Sequence, residues 1–490
     1  KLVWEIFEKV FTATPRESKK EEKIRAALKA WVKEKAKTSG INVSIKEDET
    51  GNILLKKAAT PGMGNKPSIL LQGHLDMVCV TDRKDGFDFD NEPIPILIQD
   101  NGEWVEADET TLGADNGIGM ALGLALMFHP DVEHGPLEVL ATVDEETGLT
   151  GAFALDPKEM GIESKLLINI DSEDLGVITI GSAGGGDSVF TKQLSKDSQS
   201  DYMFRTLTVR GLLGGHSGVD IHLPRGNANK MIARMLSALL KEIPVAIVEW
   251  NGGEKRNAIA RSSTIIFGVP SSLSAKAEEL LLKEKSELLI YYRGGEKPIE
   301  PETKIDWSQV GSSESFTLDE SKKIIQTIHM LPHGVIRFSP AVDGLVETSN
   351  NVAVLTTTDT GLRLQMSTRS NLDTELTSTR RKIAIMGEVM RWNVEQDKAY
   401  PGWAPDPTNA FLKYVRETYE AAIGSEIVVE AIHAGLECGI LGAGIPGLRM
   451  ISIGPTIKNA HSPDEKLKID TVGTVFDFLR SILKDLPSTL

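Results

Sequence analysis

The sequence predicts an α/β protein in which a mostly parallel sheet is interrupted by an inserted α+β domain. Two observations predict the sheet: amphipathic helical stretches alternate with short apolar runs, and polar residues follow those runs closely. A third observation predicts the insertion. From about Gly184 the chain changes to Gly-rich turns and Thr/Ser-rich strands, and the first pattern resumes near Tyr400.

Three stretches have apolar residues at the spacing of an amphipathic helix. Ser18 and Glu21 read as a capping box that opens the first stretch, and Gly40 marks its end. The three apolar faces are Ile24, Leu28, Trp31 and Val32; then Ile232, Met235, Leu236, Leu239 and Ile243; and last Val475, Phe476, Leu479, Ile482, Leu483 and Leu486. We interpret all three as faces that pack on a core. A further helix is expected over residues 376–392.

Four short apolar runs between the helical stretches are expected to form the parallel strands. They are residues 68–71, 137–143, 166–170 and 448–453. Acidic, polar or histidine side chains follow each run within a few residues. In open α/β sheets, ligands bind beyond the carboxyl ends of the strands. The sequence therefore predicts a functional site at that edge of the sheet.

The inserted region has its own strand signals, at residues 205–209, 262–269 and 352–358. We therefore predict a discontinuous outer domain of residues 1–184 and 400–490, and an inserted domain of residues 185–399. The Gly-rich stretch Gly181–Gly186, GSAGGG, lacks the lysine and the following Ser/Thr of a phosphate-binding loop. We interpret it as a hinge or domain crossing.

Composition restricts the classes of function. The 490 residues carry a formal charge of -16, which argues against nucleic acid and anionic membranes as partners. No apolar run is long enough to cross a bilayer, and the N-terminal stretch has no signal-peptide cleavage pattern. Cys79 and Cys438 form no disulfide framework, and we interpret both as small buried side chains. A soluble, cytoplasmic protein is expected.

Five short segments concentrate the histidine and acidic residues. They are GHLDMV at 73–78, LGADNGIGMA at 112–121, VDEETG at 143–148, NIDSED at 169–174 and NAHSPDE at 459–465. A single histidine at a strand end is more often structural than a ligand, and an acidic pair in a loop is usually solvated. All five together, mostly following a strand or opening a helix, indicate a metal site.

Histidine and carboxylate side chains are suitable zinc ligands, and a catalytic zinc site leaves room for water. The segments supply two imidazoles and three carboxylates, which suffice for a metal pair if Asp115 bridges the ions. These five residues are His74, Asp115, Glu146, Asp171 and His461. On a strand, Asp76 would share a face with His74 and orient its imidazole. Glu145 and Glu146 are adjacent and cannot point the same way, so one can bind metal while the other stays free to transfer protons.

The order H-x-D, D-N-G, E-E, Asp and a late His resembles the co-catalytic zinc exopeptidase family, which includes aminoacylases, tripeptidases and carnosinases. Further segments narrow the resemblance to the aminoacyl-histidine dipeptidases. They are TATPRESKKE, GHLDMVC, TLGADNGIGMA, NIDSED, GGHSGVDIH and HAGLECGIL. The resemblance implies a zinc-exopeptidase catalytic domain, the outer domain, with an inserted α+β lid that also serves in dimerisation.

The resemblance also implies a role for each residue of the site. The implied zinc ligands are His74 and Asp171 for one ion, Glu146 and His461 for the other, and Asp115 as the bridge. Glu145 would be the general base, and Asp76 the acid that supports a ligand histidine. Two Zn²⁺ ions per subunit of a homodimer are expected, with Co²⁺ or Mn²⁺ as substitutes.

The implied reaction is hydrolysis of dipeptides, preferentially L-aminoacyl-L-histidine including β-alanyl-histidine, by a zinc-activated bridging water. An N-acyl amino-acid deacylase or a tripeptidase of the same family is the near alternative, because all share the metal site. A non-catalytic metal- or peptide-binding protein is the third reading, and the retained Glu145 and ligands argue against it. No G-x-S-x-G nucleophile pattern is present.

Four further residues are candidates for substrate binding. His216 in GGHSG matches the family histidine that reaches the scissile carbonyl, from its own or a partner subunit; the alternative is a turn residue between glycines. Arg369 in STRSN could hold the substrate carboxylate and Asn257 in RNAIA could polarise the carbonyl, although a surface arginine and a turn asparagine fit equally well. Glu437 in HAGLECG replaces a loop of relatives and would contact the substrate amine.

Overall fold

A computed structural model describes residues 1–295, 297–312 and 314–489. The chain divides into two compact units. The first consists of Lys1–Ser182, Trp403–Ala431 and Leu436–Leu490, and the second of Ala183–Gly402 and Ile432–Gly435. The chain passes from the first unit to the second inside the Gly-rich stretch 181–186. Residues 432–435, which the sequence-based limits assign to the outer domain, lie with the second unit, where the Ala183 amide donates to the Ala434 carbonyl.

Among the described residues, the helical segments are α-helices except for a π-helical turn at Phe7–Phe11 and a 3-10 turn at Ser271–Leu273. The α-helices of the described residues are α1 (Leu2–Ile6), α2 (Glu22–Ser39), α3 (Ala114–Phe128), α4 (Glu145–Gly148), α5 (Thr150–Ala154), α6 (Pro157–Met160), α7 (Ala228–Leu239), α8 (Ser274–Arg293), α9 (Leu318–Met330), α10 (Asp373–Val389), α11 (Ala410–Ile423), α12 (Glu437–Gly444) and α13 (Ile469–Asp485).

Strands occur in both units. Those of the described residues are β1 (Val43–Glu47), β2 (Ile53–Lys57), β3 (Ile69–His74), β4 (Ile96–Ile98), β5 (Trp104–Ala107), β6 (Leu137–Thr142), β7 (Leu166–Asn169), β8 (Val177–Ser182), β9 (Gly184–Gln193), β10 (Lys196–Ser198), β11 (Tyr202–Arg210), β12 (Ala246–Gly252), β13 (Ser263–Pro270), β14 (Lys304–Val310), β15 (Glu314–Phe316), β16 (Gly334–Phe338), β17 (Val346–Thr358), β18 (Gly361–Ser370), β19 (Asn393–Gln396), β20 (Val428–Ile432), β21 (Arg449–Ser452), β22 (Ile457–Lys458) and β23 (Lys466–Lys468).

The main sheet of the first unit has the strand order β1-β2-β6-β3-β7-β21-β8-β20. Its centre is parallel: β3 pairs with β6 and β7, and β7 pairs with β21, all in the same direction. The flanking pairs β1–β2, β2–β6 and β21–β8 are antiparallel. The four apolar runs singled out in the sequence are the parallel strands. Their carboxyl ends therefore meet at one edge of the sheet.

Strand β3 is buried on both faces of this sheet. Ile69 and Leu71 belong to a large apolar core that also includes the buried side chains of α2, α3 and α13, whereas Leu70 belongs to a smaller cluster on the opposite face. Adjacent residues of a strand point to opposite faces, so both faces must be covered. This burial explains the continuous apolar runs and leaves the strand ends as the accessible part of the sheet.

The capping box predicted for α2 is wrong. The helix begins at Glu22, and neither Ser18 nor Glu21 caps it through its side chain. The Ser18 hydroxyl instead donates to Asp76 Oδ2 at 2.8 Å, and Glu21 Oε1 accepts the amide of Asp144 at 2.9 Å. Neither side chain bonds with an amide of the helix: Ser18 has a remote partner, and Glu21 Oε1 accepts the nearby Lys19 amide as well as that of Asp144. The predicted end of α2 is confirmed, since Gly40 has a positive φ of 64°.

The second unit is built on an antiparallel sheet with the strand order β14-β11-β13-β12-β17-β18-β9-β19, and β16 pairs with β17. Buried side chains of α7, α8, α9 and α10 join those of the sheet in one core. Antiparallel strands with helices gathered on a sheet form the α+β arrangement predicted for the insertion.

The two units together confirm the predicted fold class, a parallel-centred α/β domain with an inserted α+β domain. Among the described residues, no helix is both long and apolar enough to cross a membrane.

Candidate active site

The first unit brings two histidines and a shared carboxylate together. His74, at the end of β3, places Nε2 3.1 Å from Asp115 Oδ1, and His461 places its Nε2 2.9 Å from Asp115 Oδ2. Each oxygen of Asp115 therefore faces a different imidazole. This arrangement suits a carboxylate that bridges two metal ions.

A second carboxylate accompanies each imidazole. Asp171, just beyond β7, has Oδ1 3.4 Å from His74 Nε2, and Glu146 of α4 has Oε2 3.0 Å from His461 Nε2. Asp171 Oδ1 and Glu146 Oε1 are buried, and neither has a hydrogen-bond partner among the described residues. Unpartnered buried carboxylate oxygens are costly, so these atoms are suited to contacting a cation.

The pKa shifts and the charges of these five residues also suit the binding of cations. Hydrogen bonds to Asp115 and Glu146 raise the pKa of His461 to about 11. Although burial opposes it, hydrogen bonds from both histidines lower the pKa of Asp115, whereas burial raises the pKa of Asp171 to about 8. Three carboxylates surround two imidazoles, so a negative charge remains whenever all three carboxylates are ionised, even with both histidines protonated. The five residues fit a pair of divalent metal ions, which would offset that charge.

Asp76 connects His74 to the acidic pair of α4. Its Oδ1 lies 3.3 Å from His74 Nδ1, on the other side of the imidazole from the ligand carboxylates. The same carboxylate accepts the amides of Glu145 and Glu146, at 3.0 and 3.2 Å. Burial opposes ionisation of Asp76, but the contact with His74 and these amides outweigh it and lower its pKa to about 2. Asp76 therefore stays ionised and orients His74.

Glu145 lies beside the cluster without being paired in it. Burial raises the pKa of its carboxyl above the ordinary value, and the charges of Asp171 and Glu146 add to the shift. A carboxyl group whose pKa is raised, close to the carboxylates of Asp171 and Glu146, is suited to accept a proton and to return it.

A buried carboxylate positions Asp115. Helix α3 begins at Ala114 after Gly113 and has no side-chain cap of its own. Glu465, 1 % exposed, accepts the amides of Leu112, Gly113, Ala114 and Asp115 at 2.7 to 3.3 Å. It thus serves as the missing cap and fixes the first turn of the helix that carries Asp115.

Glu437 lies beneath the same edge of the sheet. The side chain, at the start of α12, is 0 % exposed, and its Oε2 accepts hydrogen bonds from Gln72 Nε2 and Thr142 Oγ1, both at 2.6 Å. Its other oxygen, Oε1, is buried and has no hydrogen-bond partner in the part of the chain that the structure describes. Burial raises its pKa to about 7. The structure thus brings Glu437 close to the seven residues from His74 to His461, as charge interactions with His74 and Asp76 also indicate.

The second unit brings His216, Asn257 and Arg369 close together. The backbone of His216 pairs with Ala258, and the Asn257 carbonyl accepts the Ser217 amide at 2.8 Å. Arg369, on β18, is buried, and its Nη1 donates to the Tyr400 hydroxyl at 3.0 Å. Its Nε has no hydrogen-bond partner among the residues described. A Cβ placed on Gly218 would lie 3.2 Å from both Arg369 Nε and His216 Cε1.

Hydrogen bonds within its own loop determine which ring nitrogen of His216 carries the proton. Its Nδ1 accepts the amides of Gly218 and Val219, at 3.3 and 3.1 Å. A ring nitrogen that accepts carries no proton, so the proton of the neutral imidazole is on Nε2. Burial and the nearby Arg369 charge lower the pKa of His216, which favours this neutral form. His216 can therefore donate a hydrogen bond through Nε2 at neutral pH.

Sequence reasoning did not identify the residues that support the site. Arg16, Ser18, Glu21 and Glu465 contact its loops. They lie in the segments TATPRESKKE and NAHSPDE, but their residue types alone assign them no role in the site. For Glu465 a signal existed: the segment before Ala114 offers no capping side chain, so the amides of α3 require an acceptor from elsewhere.

Comparison with known proteins extends these observations. The sequence profile described as "Peptidase family M20/M25/M40" matches residues 70–485. The "Cytosol non-specific dipeptidase" of Escherichia coli (strain K12) is 38% identical over 497 aligned residues, which cover 99% of this chain and 98% of that protein. Both matches include all five segments that concentrate the histidine and acidic residues.

Solved structures agree with the sequence matches. The crystal structure of aminoacylhistidine dipeptidase from Vibrio alginolyticus superposes with a TM-score of 0.89 at 38% identity, covering 100% of this chain and 97% of that one. A tripeptidase from Staphylococcus aureus subsp. aureus Mu50, 15% identical, shares the fold with a TM-score of 0.54 over 99% of this chain and 98% of that one. The resemblance drawn from the sequence motifs is thereby confirmed.

Proposed function

The chain belongs to peptidase family M20/M25/M40, and we propose that this metallopeptidase is a two-zinc dipeptidase that prefers L-aminoacyl-L-histidine, including β-alanyl-histidine. Dipeptidase activity follows from the full-length relatives. One observation supports two metal ions in particular: the two oxygens of Asp115 face different imidazoles, and each imidazole has a second carboxylate.

We assign one ion to His74 and Asp171, the other to Glu146 and His461, and Asp115 to both. Imidazole nitrogen and carboxylate oxygen are donors that zinc prefers, and Co²⁺ or Mn²⁺ would also accept them. When bound, the metal pair would polarise the peptide carbonyl and lower the pKa of a water molecule towards about 7.

The chain's own residues would carry out the proton transfers. Glu145 takes the proton of the attacking water and delivers it to the leaving amine. Asp76 keeps His74 oriented through Nδ1, so that Nε2 faces the ligand carboxylates. His216, whose proton is on Nε2, is suited to donate to an oxygen that becomes negative, and Asn257 is a second candidate donor.

Two charged residues are proposed to recognise the ends of the substrate. Arg369 would hold the carboxylate, because its buried Nε has no partner within the described residues. Glu437 would hold the free amine through its unpartnered Oε1.

Glu437→Gln tests the assignment to the amine. We expect KM for a dipeptide to rise about tenfold or more, because a charged hydrogen bond contributes about 1.5 to 3 kcal/mol. Metal content should not change. Equal KM values for the variant and the wild type would assign Glu437 a structural role only.

The relatives also suggest a cellular location. The name of the Escherichia coli relative places that protein in the cytosol, and we propose the same location here. A homodimer remains our prediction, which sedimentation of the purified protein would test.

The deciding experiment is a substrate panel for chelator-treated protein, with and without added zinc. The panel contains aminoacyl-histidines, β-alanyl-histidine, other dipeptides, a tripeptide and N-acetyl amino acids. Zinc-restored cleavage of dipeptides, fastest for those ending in histidine, is the expected result. Restored cleavage of only the tripeptide or the N-acetyl substrates would keep the metal site and replace the dipeptidase assignment. Two bound metal ions without any cleavage would favour a binding protein.

A further inference from the structure

Arg16 is a buried cation whose side chain contacts loops of the candidate metal centre. Its side chain is 1 % exposed, and its hydrogen bonds within the described residues go to backbone carbonyls. Nε donates to Phe11 O at 3.2 Å, and Nη1 donates to Leu75 O and Asp76 O at 3.0 and 2.9 Å. Nη2 donates to Gly113 O. A planar guanidinium has five N–H groups in a fixed fork, which suits several carbonyls at once.

Three of these carbonyls belong to the two loops next to His74 and Asp115, and the fourth, Phe11 O, belongs to the N-terminal π-helical turn. Leu75 and Asp76 follow His74 directly, and Gly113 precedes Asp115 by two residues. A Cβ at Gly113 would lie 2.4 Å from Arg16 Nη2, and Gly113 has a positive φ of 69°. Glycine is therefore required at this position both for the backbone conformation and for the approach of Arg16.

Two further side chains of the same segment reach the site. The Ser18 hydroxyl donates to Asp76 Oδ2 at 2.8 Å. Glu21 Oε1 accepts the amide of Asp144, the residue before the acidic pair of α4, at 2.9 Å. The backbone takes part as well, since the Met77 amide donates to Arg16 O at 3.0 Å.

We propose that Arg16–Glu21 is a positioning segment for the metal centre, in which Arg16 sets the separation of His74 from Asp115 and Ser18 orients Asp76 against His74. This inference rests on the proposed metal site. The proposed metal ligands do not include Arg16, Ser18 or Glu21. The loops that these side chains hold carry carboxylates that repel one another, so without a support they would separate.

Ser18 gives the cleaner test, because it is only partly buried and its substitution leaves the core intact. In Ser18→Ala, Asp76 loses one of its donors, and we expect zinc to bind about 10- to 100-fold more weakly, as for other residues that orient metal ligands. Ser18→Thr keeps the hydroxyl and should restore wild-type affinity. Affinity is measured by competition with a chromophoric chelator, and the Co²⁺-loaded absorption spectrum reports ligand geometry.

A matched control lies at the start of β3, the strand that ends at His74. The Ser68 hydroxyl, also partly buried, makes a 2.6 Å hydrogen bond with Ser164 just before β3 begins. Ser68→Ala removes a comparable hydrogen bond far from the ligands. We expect unchanged zinc affinity and an unchanged Co²⁺ spectrum. A purely structural role of Ser18 would make the two alanine variants alike.

Arg16→Lys tests the second part of the proposal. Lysine keeps the charge but cannot reach carbonyls on both loops, so metal affinity should fall at least tenfold and the Co²⁺ spectrum should change. The control is Arg380→Lys in the second unit, where a buried Arg380 Nη2 donates to Asp187 O and Asp397 O at 2.7 and 2.8 Å. This variant should change stability without changing zinc affinity.

The outcomes separate the two proposals. If the wild type binds no divalent metal, the proposed function and this inference both fail. If the wild type binds two ions and both Ser18→Ala and Arg16→Lys bind them as tightly with unchanged spectra, only the inference is overturned. Weakened binding by Ser18→Ala, with recovery in Ser18→Thr, is the result that supports it even if Arg16→Lys does not fold.

Discussion

At the scale of single residues, Glu145 is the position at which proton transfer can be separated from metal binding. In Glu145→Gln the amide cannot accept the proton of the attacking water, whereas the ligand set is unchanged. We expect kcat to fall about 10²- to 10⁴-fold. Metal content, measured by atomic emission, should remain that of the wild type.

Glu163→Gln is the control for Glu145→Gln. Glu163 is an exposed glutamate of the same unit whose partner is Lys56, and its substitution should leave kcat unchanged. A Glu145→Gln variant that turns over nearly as fast as this control would show that another group is the base.

The protonation of His216 can be read directly. Because two backbone amides donate to Nδ1, we expect ¹⁵N NMR of the metal-free protein at pH 7 to show a neutral ring with its proton on Nε2. Burial and the Arg369 charge lower the pKa, so the ring should become charged only below the ordinary value of 6.5. A ring that is protonated at pH 7, or that carries its proton on Nδ1, would contradict the proposed donor.

At the scale of elements, the loop that carries His216 is closed by a single buried carboxylate. Glu300 is 0 % exposed and accepts the amide of Leu213 at 2.7 Å and that of Gly226 at 2.8 Å. These residues lie near the two ends of the connection between β11 and α7. One side chain thus fixes where this connection begins and ends.

Glu300→Gln replaces one of the two accepting oxygens with an NH₂ group, so one loop amide loses its acceptor. We expect the free energy of unfolding to fall by about 1 to 3 kcal/mol in urea. Hydrogen exchange of the amides of Leu213 and Gly226 should become faster. Glu302→Gln, at an exposed position two residues further on, is the control and should change neither measurement.

The start of α2 shows why local motifs can mislead. Ser18 and Glu21 have the spacing of a capping box, but their side chains bind Asp76 and the Asp144 amide instead. The motif identifies side chains able to bond with backbone amides or carboxylates. Which partner they bond with depends on the segments that the sheet places beside them.

At the scale of the whole molecule, the metal-free protein should lose stability as the pH rises. His461 has a pKa raised to about 11 and Asp171 one raised to about 8, so the folded state holds protons that the unfolded state has released. Both contributions are present at low pH and are lost as the pH rises through these values. We expect Tm in a chelating buffer to decline from pH 7 to pH 9.

Bound metal ions should remove this decline of Tm with pH, because they replace the protons on His461 and Asp171. At a free metal concentration about 100-fold above Kd, binding adds about 2.7 kcal/mol to the free energy of unfolding. The Tm difference between the zinc-loaded and chelated protein should therefore widen between pH 7 and pH 9. Parallel curves for the two forms would show that His461 and Asp171 are not metal ligands.

The sequence by itself determined the α/β class, the inserted domain, the family and the residues expected to bind metal. These features depend on residue type and on short spacing: apolar runs form strands, and H-x-D or E-E places ligand-type side chains at strand ends. The five segments also occur in a fixed order. Such information is local, so it can be read without knowing which segments meet.

Only the tertiary structure decided which side chains hold those residues in place. Glu465 caps α3 across more than three hundred positions of sequence, and Arg16 reaches Gly113 across about a hundred. A buried carboxylate or guanidinium must find partners, but many backbone groups of the chain would serve equally well. The choice is made when the strands pair and the connections between them come together, which no local pattern encodes.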